Sequence, residues 1–226
     1  MPTTTLLPAV EINPSKSVQA TVIWLHGLGA DGHDLAEIVP QLHLPPELGI
    51  RFVFPHAPTR TVTINGGLQM SAWFDIYGLN KNSPIDEVGI REAQEAIQQL
   101  IDREIASGVP SSKIVLAGFS QGGTVAIIAG LSYPQPLAGI MGLSTCLSPK
   151  TDLTQIIHPA NRATRLFLAH GLQDPVLPVV LGADTRDVLI RAGYSITWRA
   201  YPMEHQICPA EIKEIVGWLK DRLDLE

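Results

Sequence analysis

Lys113-Ile114-Val115-Leu116-Ala117-Gly118-Phe119-Ser120-Gln121-Gly122-Gly123 is a short apolar run that breaks on a glycine, a serine and two more glycines. Residues 113–117 read as a strand buried on both faces, being short, apolar and bounded by a turn residue. Residues 121–131 are rich in small and apolar side chains, as a helix packed inside a fold must be. A strand passing into a helix through Gly-x-Ser-x-Gly turns very sharply at the serine. The positions two residues to either side must then lack bulk, which accounts for Gly118 and Gly122. Such a turn lifts the Ser120 hydroxyl above the strand ends. It also aims the free N–H groups of the following helix at the space beside that hydroxyl.

Outward from this turn the same alternation repeats. Ala20-Thr21-Val22-Ile23-Trp24-Leu25 stops at His26-Gly27, and Arg51-Phe52-Val53-Phe54 stops at Pro55. Residues 138–143, 166–169 and 195–200 are further apolar runs of strand length. Residues 86–107 carry apolar side chains at Ile90, Ala93, Ile97, Leu100, Ile101 and Ile105, a helical spacing that ends at Gly108 with Pro110 beyond. Residues 178–192 and 209–223 each open on a proline suited to a first helical turn, and residues 34–41 read as a short helix. Strands alternating with helices predict an α/β protein with a mostly parallel central sheet and helices on both faces. The length of 226 residues predicts a single domain over 1–226.

Bulk composition narrows the function classes. With 45% hydrophobic and 17% charged residues the chain is globular, not disordered. A formal charge of −6 argues against a nucleic-acid partner, which would call for a basic face. Cys146 and Cys208 stand far apart in no metal-ligating spacing, so neither a disulfide framework nor a metal site is expected. No basic-then-apolar leader and no apolar run of roughly 20 residues occurs, so a cytoplasmic protein without a transmembrane segment is expected.

Serine needs a base, and the base needs an orienting carboxylate. On a sheet of this type the acid and then the histidine follow the serine in the chain. His158, His170 and His205 lie downstream of Ser120. His170 ends the strand at 166–169 and opens the turn His170-Gly171-Leu172-Gln173-Asp174, which sets Asp174 at the carboxyl edge of the sheet. After Asp174 the one remaining histidine is His205, in the loop before the last helix. Asp184 and Asp187 fall in a helical pattern and read as surface charges, Glu204 would point away from its neighbour, and His170 reads as a loop hydrogen-bonder. The loop His26-Gly27-Leu28-Gly29-Ala30-Asp31-Gly32 follows an early strand, with glycines that let backbone approach a ligand. Oxyanion donors are therefore expected at the backbone N–H groups of Leu28 and Gln121, with His26 and Asp31 bracing the loop.

Taken in order, six segments resemble one family. They are residues 26–32, Asn65-Gly66-Gly67, Trp73-Phe74-Asp75, residues 118–123, His170-Gly171 with Asp174, and Tyr201-Pro202-Met203-Glu204-His205. The set is similar to the acyl-protein thioesterases and small bacterial carboxylesterases of the α/β-hydrolase fold, from about residue 20 onward. The resemblance implies Ser120, Asp174 and His205 as catalytic triad, Leu28 and Gln121 as oxyanion hole, and no large cap domain. It implies instead that residues 65–79 form a short hairpin and loop roofing an acyl groove. Met70, Trp73, Phe74, Leu79 and Val176 are then the expected substrate contacts. The chain departs from the pattern at Thr145-Cys146, where relatives often carry tryptophan nearby, and at Gln206, where serine is common. Both departures bear on the acyl pocket.

The expected reaction is hydrolysis of a carboxylic ester or acyl thioester through an acyl-enzyme, with no metal or organic cofactor required. The expected substrate is a small molecule or an acylated protein. A lysophospholipase-like lipid esterase, or another serine hydrolase of the fold such as a peptidase or lyase, is the alternative. A non-catalytic binding protein on this scaffold would normally lack a triad member, and none is missing here. The apolar residues 70–79 suit either transient contact with a lipid surface or packing of a lid on the core. Monomer and homodimer are both compatible with the sequence.

Overall fold

The computed structural model describes residues 6–78 and 82–225. In chain order the strands are β1 (Ala9–Ile12), β2 (Ala20–Leu25), β3 (Ile50–Pro55), β4 (Thr59–Val62), β5 (Leu68–Ser71), β6 (Ile114–Phe119), β7 (Gly139–Leu143), β8 (Leu166–Gly171) and β9 (Ile196–Tyr201). The helices are α1 (Gly32–Ala36), α2 (Val39–Leu42), α3 (Glu87–Ala106), α4 (Gln121–Ser132), α5 (Leu153–Ile156), α6 (Val179–Arg191) and α7 (Pro209–Leu223).

Seven strands form one sheet in the order β1-β3-β2-β6-β7-β8-β9, parallel throughout except for the antiparallel edge strand β1. Alternate side chains of the central strands feed two cores. Val22, Trp24, Val115 and Ala117 pack toward α1, α2 and α7, where Ile38, Leu42, Ile215 and Trp218 meet them. Ile23, Leu25, Ile114 and Leu116 face the opposite layer, built from Ile97, Leu100 and Ile101 of α3 and Val125 and Ala126 of α4. Burying each such side chain contributes about 1.5–3 kcal/mol. The α4 helix is covered along its whole length, with every residue from Gln121 to Leu131 buried. That is why its sequence shows no polar face. This is the α/β-hydrolase architecture, and the chain between β3 and α3 supplies a hairpin and a loop in place of a large cap.

The strand runs and long helices lie where the sequence predicts them, and three elements differ. The helix expected at residues 34–41 is two short helices, because Pro40 has no N–H to bond back to Ala36. The roof hairpin starts before residue 65: β4 pairs with β5 from Thr59↔Ser71 to Val62↔Leu68, and Asn65-Gly66-Gly67 form its tip. The edge strand β1 is not legible as a strand at all, being four residues long and largely half-exposed. Leu79 lies outside the described residues.

Two features place the site. The α3 helix is started by Asp86, whose carboxylate accepts the Gly89 N–H at 2.9 Å and the Asp75 N–H at 2.8 Å, so helix and roof share one anchor. At the far edge of the sheet, Lys113 Nζ donates to Leu223 O (2.6 Å) and to Asp224 Oδ2 (2.8 Å), clamping the end of α7 to the start of β6. No helix among the described residues is long and apolar enough to cross a membrane.

Candidate active site

Ser120 joins β6 to α4 with φ 52° and ψ −122°, in a backbone region that costs a residue with a side chain roughly 1–3 kcal/mol. The surroundings hold it there. Its N–H donates to Leu143 O (2.9 Å), and its carbonyl accepts from Thr145 Oγ1 (2.7 Å) and Gly123 N (3.0 Å). The flanking glycines answer to direct sterics: a Cβ at Gly118 would lie 2.2 Å from Gly122 O, and one at Gly122 would lie 2.5 Å from both His26 O and Leu25 O.

His205 reaches over from the loop after β9, with Nε2 3.0 Å from Ser120 Oγ and Nδ1 2.7 Å from Asp174 Oδ2. Asp174 lies in the loop after β8 with its side chain fully buried, and its other oxygen accepts the N–H groups of Val176 (2.9 Å) and Leu177 (2.8 Å). A carboxylate only accepts, so His205 carries its proton on Nδ1 and presents the Nε2 lone pair to the serine. The two loops are laced together: Gln173 N–H donates to Met203 O, and a Cβ at Gly171 would strike Glu204 O at 2.3 Å. Phe119 packs on the His205 ring at 4.8 Å between centroids.

Two further histidines brace the loops. His26 accepts from Ala57 N–H at Nε2 (3.1 Å) and donates from Nδ1 to Gly27 O (2.7 Å), and burial pushes its pKa down, keeping it neutral. His170 donates from Nε2 to Leu177 O (2.8 Å), and burial lowers its pKa too. Its Nδ1 has no partner among the described residues and faces the α6 backbone, where a Cβ at Gly182 would lie 2.3 Å away. Asp31 caps α1, accepting from His33 and Asp34 N–H.

The N–H groups of Leu28 and Gln121 donate no hydrogen bond to any described residue, and both residues line the same cleft as Ser120. The Leu28 loop is held by Gly29, which takes φ 77° and donates its N–H to Ser71 O at 2.8 Å. Gln121 also works through its side chain: Oε1 accepts from Trp73 N–H (2.8 Å), and Nε2 donates to Phe74 O (2.7 Å). Beyond Ser120 opens a cleft of about 510 Å³, walled mainly by apolar groups such as Phe74, Ile76, Leu147, Val176 and Leu181. The half-buried Cys146 also lines it, a free cysteine whose thiol pKa burial pushes up to about 11.

Residues 8–222 match the family model described as phospholipase/carboxylesterase. The chain belongs to the phospholipase/carboxylesterase family. Among its relatives, an acyl-protein thioesterase 1 of Neurospora crassa is 38% identical over 90% of this chain and 87% of its own length. The crystal structure of Arabidopsis thaliana SOBER1 superposes with a TM-score of 0.86 at 31% identity, covering 91% of this chain and 100% of that one. That of Zea mays acyl-protein thioesterase 2 does so with a TM-score of 0.84 at 28% identity, over 96% and 99%. Like its family, the chain is a carboxylic-ester hydrolase.

As a phospholipase/carboxylesterase member it departs from the sequence expectation at the substrate contacts. Phe74 and Val176 line the cleft, but Trp73 does not: it is fully buried, donating its indole N–H to His26 O at 2.9 Å. Met70 also stays off the cleft wall, its sulfur accepting the Asn65 amide at 3.2 Å within the hairpin. The sequence points Thr145 at the acyl pocket, but it stays off the cleft wall and braces the Ser120 carbonyl instead, and the Gln121 side chain was not singled out. Thr145 follows the end of β7, and a hydroxyl just past a strand's carboxyl end beside the serine turn is the signal that would have found the bracing role.

Proposed function

We propose that this chain hydrolyses carboxylic esters and acyl thioesters in two steps through an acyl-enzyme on Ser120. The unbroken line of hydrogen bonds from Ser120 Oγ through His205 to Asp174, at 3.0 and 2.7 Å, carries this reading. His205 Nε2 takes the Ser120 proton as Oγ attacks the carbonyl carbon. The oxyanion is held by the N–H groups of Leu28 and Gln121, and losing one such donor costs roughly 100- to 1,000-fold in rate. His205, now an imidazolium stabilised by Asp174, gives its proton to the leaving alcohol or thiol. Water, deprotonated by His205, then attacks the acyl-enzyme, and Ser120 leaves with the proton returned.

The apolar cleft suits a fatty acyl chain, and its volume of about 510 Å³ has room for a medium or long one. The relatives bearing the name acyl-protein thioesterase favour an acylated protein as the thioester substrate. Replacing Ser120→Ala is expected to lower kcat for a p-nitrophenyl ester about 10⁶-fold, as removal of the nucleophile does in serine hydrolases. A fluorophosphonate probe is expected to label Ser120 alone. Full turnover by the alanine variant, or labelling elsewhere, would sink the reading.

A further inference from the structure

A second groove, of about 330 Å³, opens on the opposite side of His205 from the acyl cleft. The two meet at Gly27, Ala30, Phe119 and His205, which form the ridge between them. One wall of this groove is the α1–α2 segment, and the other is the loop of residues 205–207 with the start of α7. Its floor is apolar, formed by Leu35, Ile38, Ile207 and Ile212, and its rim carries the carboxylates of Asp34 and Glu37.

Among the described residues, no lysine or arginine lines the groove. Neither Asp34 nor Glu37 enters an ion pair with any described residue. Both side chains belong to exposed residues. The uncharged amides of Gln41 and Gln206 complete the rim.

Reaction geometry assigns this groove a role. The general acid must come within about 2.6–3.2 Å of the leaving atom. With the acyl chain in the larger cleft, the remainder of the substrate departs past His205, where this groove begins. An apolar floor under an unpaired double-negative rim repels a phosphate and attracts a cation flanked by apolar groups. The chain's net charge of −6 works in the same sense.

Resting on the acyl-enzyme reading above, we propose that the groove is the leaving-group site and that it selects thiol peptides whose acylated cysteine is flanked by lysine or arginine. A lysophospholipid headgroup suits it less well, because its phosphate would face Asp34 and Glu37.

The test compares kcat/KM for two S-octanoyl-cysteine peptides, alike except for lysine or glutamate flanks, with p-nitrophenyl octanoate and lysophosphatidylcholine run beside them. The lysine-flanked peptide is expected to lead by roughly five- to tenfold at low salt, since two partly exposed charge pairs are at work. The ratio should collapse at about 1 M salt, where the screening length is about 3 Å. The double substitution Asp34→Asn, Glu37→Lys should abolish or invert it, and asparagine keeps an acceptor for the Asp31 N–H that Asp34 now holds at 3.0 Å. Because each ratio is taken on a single preparation, partial unfolding of the variant does not affect it.

Equal rates on the two peptides, or a ratio the double substitution leaves unmoved, overturn the assignment while p-nitrophenyl octanoate turnover keeps the esterase reading. Lysophosphatidylcholine outpacing the lysine-flanked peptide, and slowed by the same substitutions, overturns it in favour of a lipid headgroup. No turnover of p-nitrophenyl octanoate by the wild type overturns both readings.

Discussion

Asp174 divides its two oxygens between two tasks, and this makes its amide replacement informative. Oδ1 accepts two backbone N–H groups, which an asparagine oxygen can also accept, while Oδ2 faces His205 Nδ1. In Asp174→Asn the amide NH₂ would therefore point at Nδ1, force the ring proton onto Nε2 and leave Ser120 without a base. A fall of about 10⁴-fold in kcat is expected with the melting temperature nearly unchanged, as measured by ester hydrolysis beside thermal unfolding. At this scale the sequence was legible wherever chain order constrains chemistry. Ser120, then Asp174, then His205 allowed one pairing. It was silent where a side chain's direction matters. Trp73 and Phe74 are adjacent aromatics, yet one is buried against His26 and the other walls the cleft. Both had the same apolar signal, and only the packing tells them apart.

Helix α7 begins directly after Cys208, three residues beyond His205, and it carries a carboxyl with no access to water. Glu211 is fully buried, Oε2 accepts Cys208 N–H at 3.4 Å, and Oε1 has no partner among the described residues. Burial raises its pKa to about 8. The folded state therefore keeps a proton that the unfolded chain, titrating near 4.5, releases earlier. This group's contribution is greatest below about pH 4.5, is lost as pH rises to about 8, and is level above that. Glu211→Gln stays neutral at every pH. It is expected to match the wild type at pH 4 and to melt higher at pH 8.5, by roughly 2–4 °C for each kcal/mol relieved, in a pair of scanning-calorimetry runs. A melting-temperature difference that is the same at both pH values would refute the buried-carboxyl account. The α3 helix was legible from its apolar spacing, and α7 from the proline that opens it. The roof was not, because its short strands are half-exposed and the contacts that hold it are made by residues distant in sequence. Asp75 takes the Thr63 N–H and hydroxyl, and Gln121 takes the Trp73–Phe74 backbone.

Across the whole molecule, the parallel sheet was readable because its strands are buried on both faces and so leave unbroken apolar runs. The edge strand β1 leaves none, yet it covers the exposed side of β3 through the pairs Ala9↔Pro55 to Ile12↔Phe52. Deleting residues up to Pro14 is expected to bare that row of backbone donors and acceptors, lowering the melting temperature and promoting aggregation visible by light scattering. A truncated chain as stable and monodisperse as its parent would show that β1 is dispensable. The first described strand and the last helix also lead away from opposite edges of the sheet. Ala9 lies level with Pro55, on the carboxyl edge where Ser120 stands, while the Lys113 clamp pins the last turn of α7 at the other edge. Attachment at the two termini is therefore not equivalent. An enzyme immobilised through its C-terminus is held by the edge of the sheet away from Ser120, and one held ahead of Ala9 by the edge that carries it.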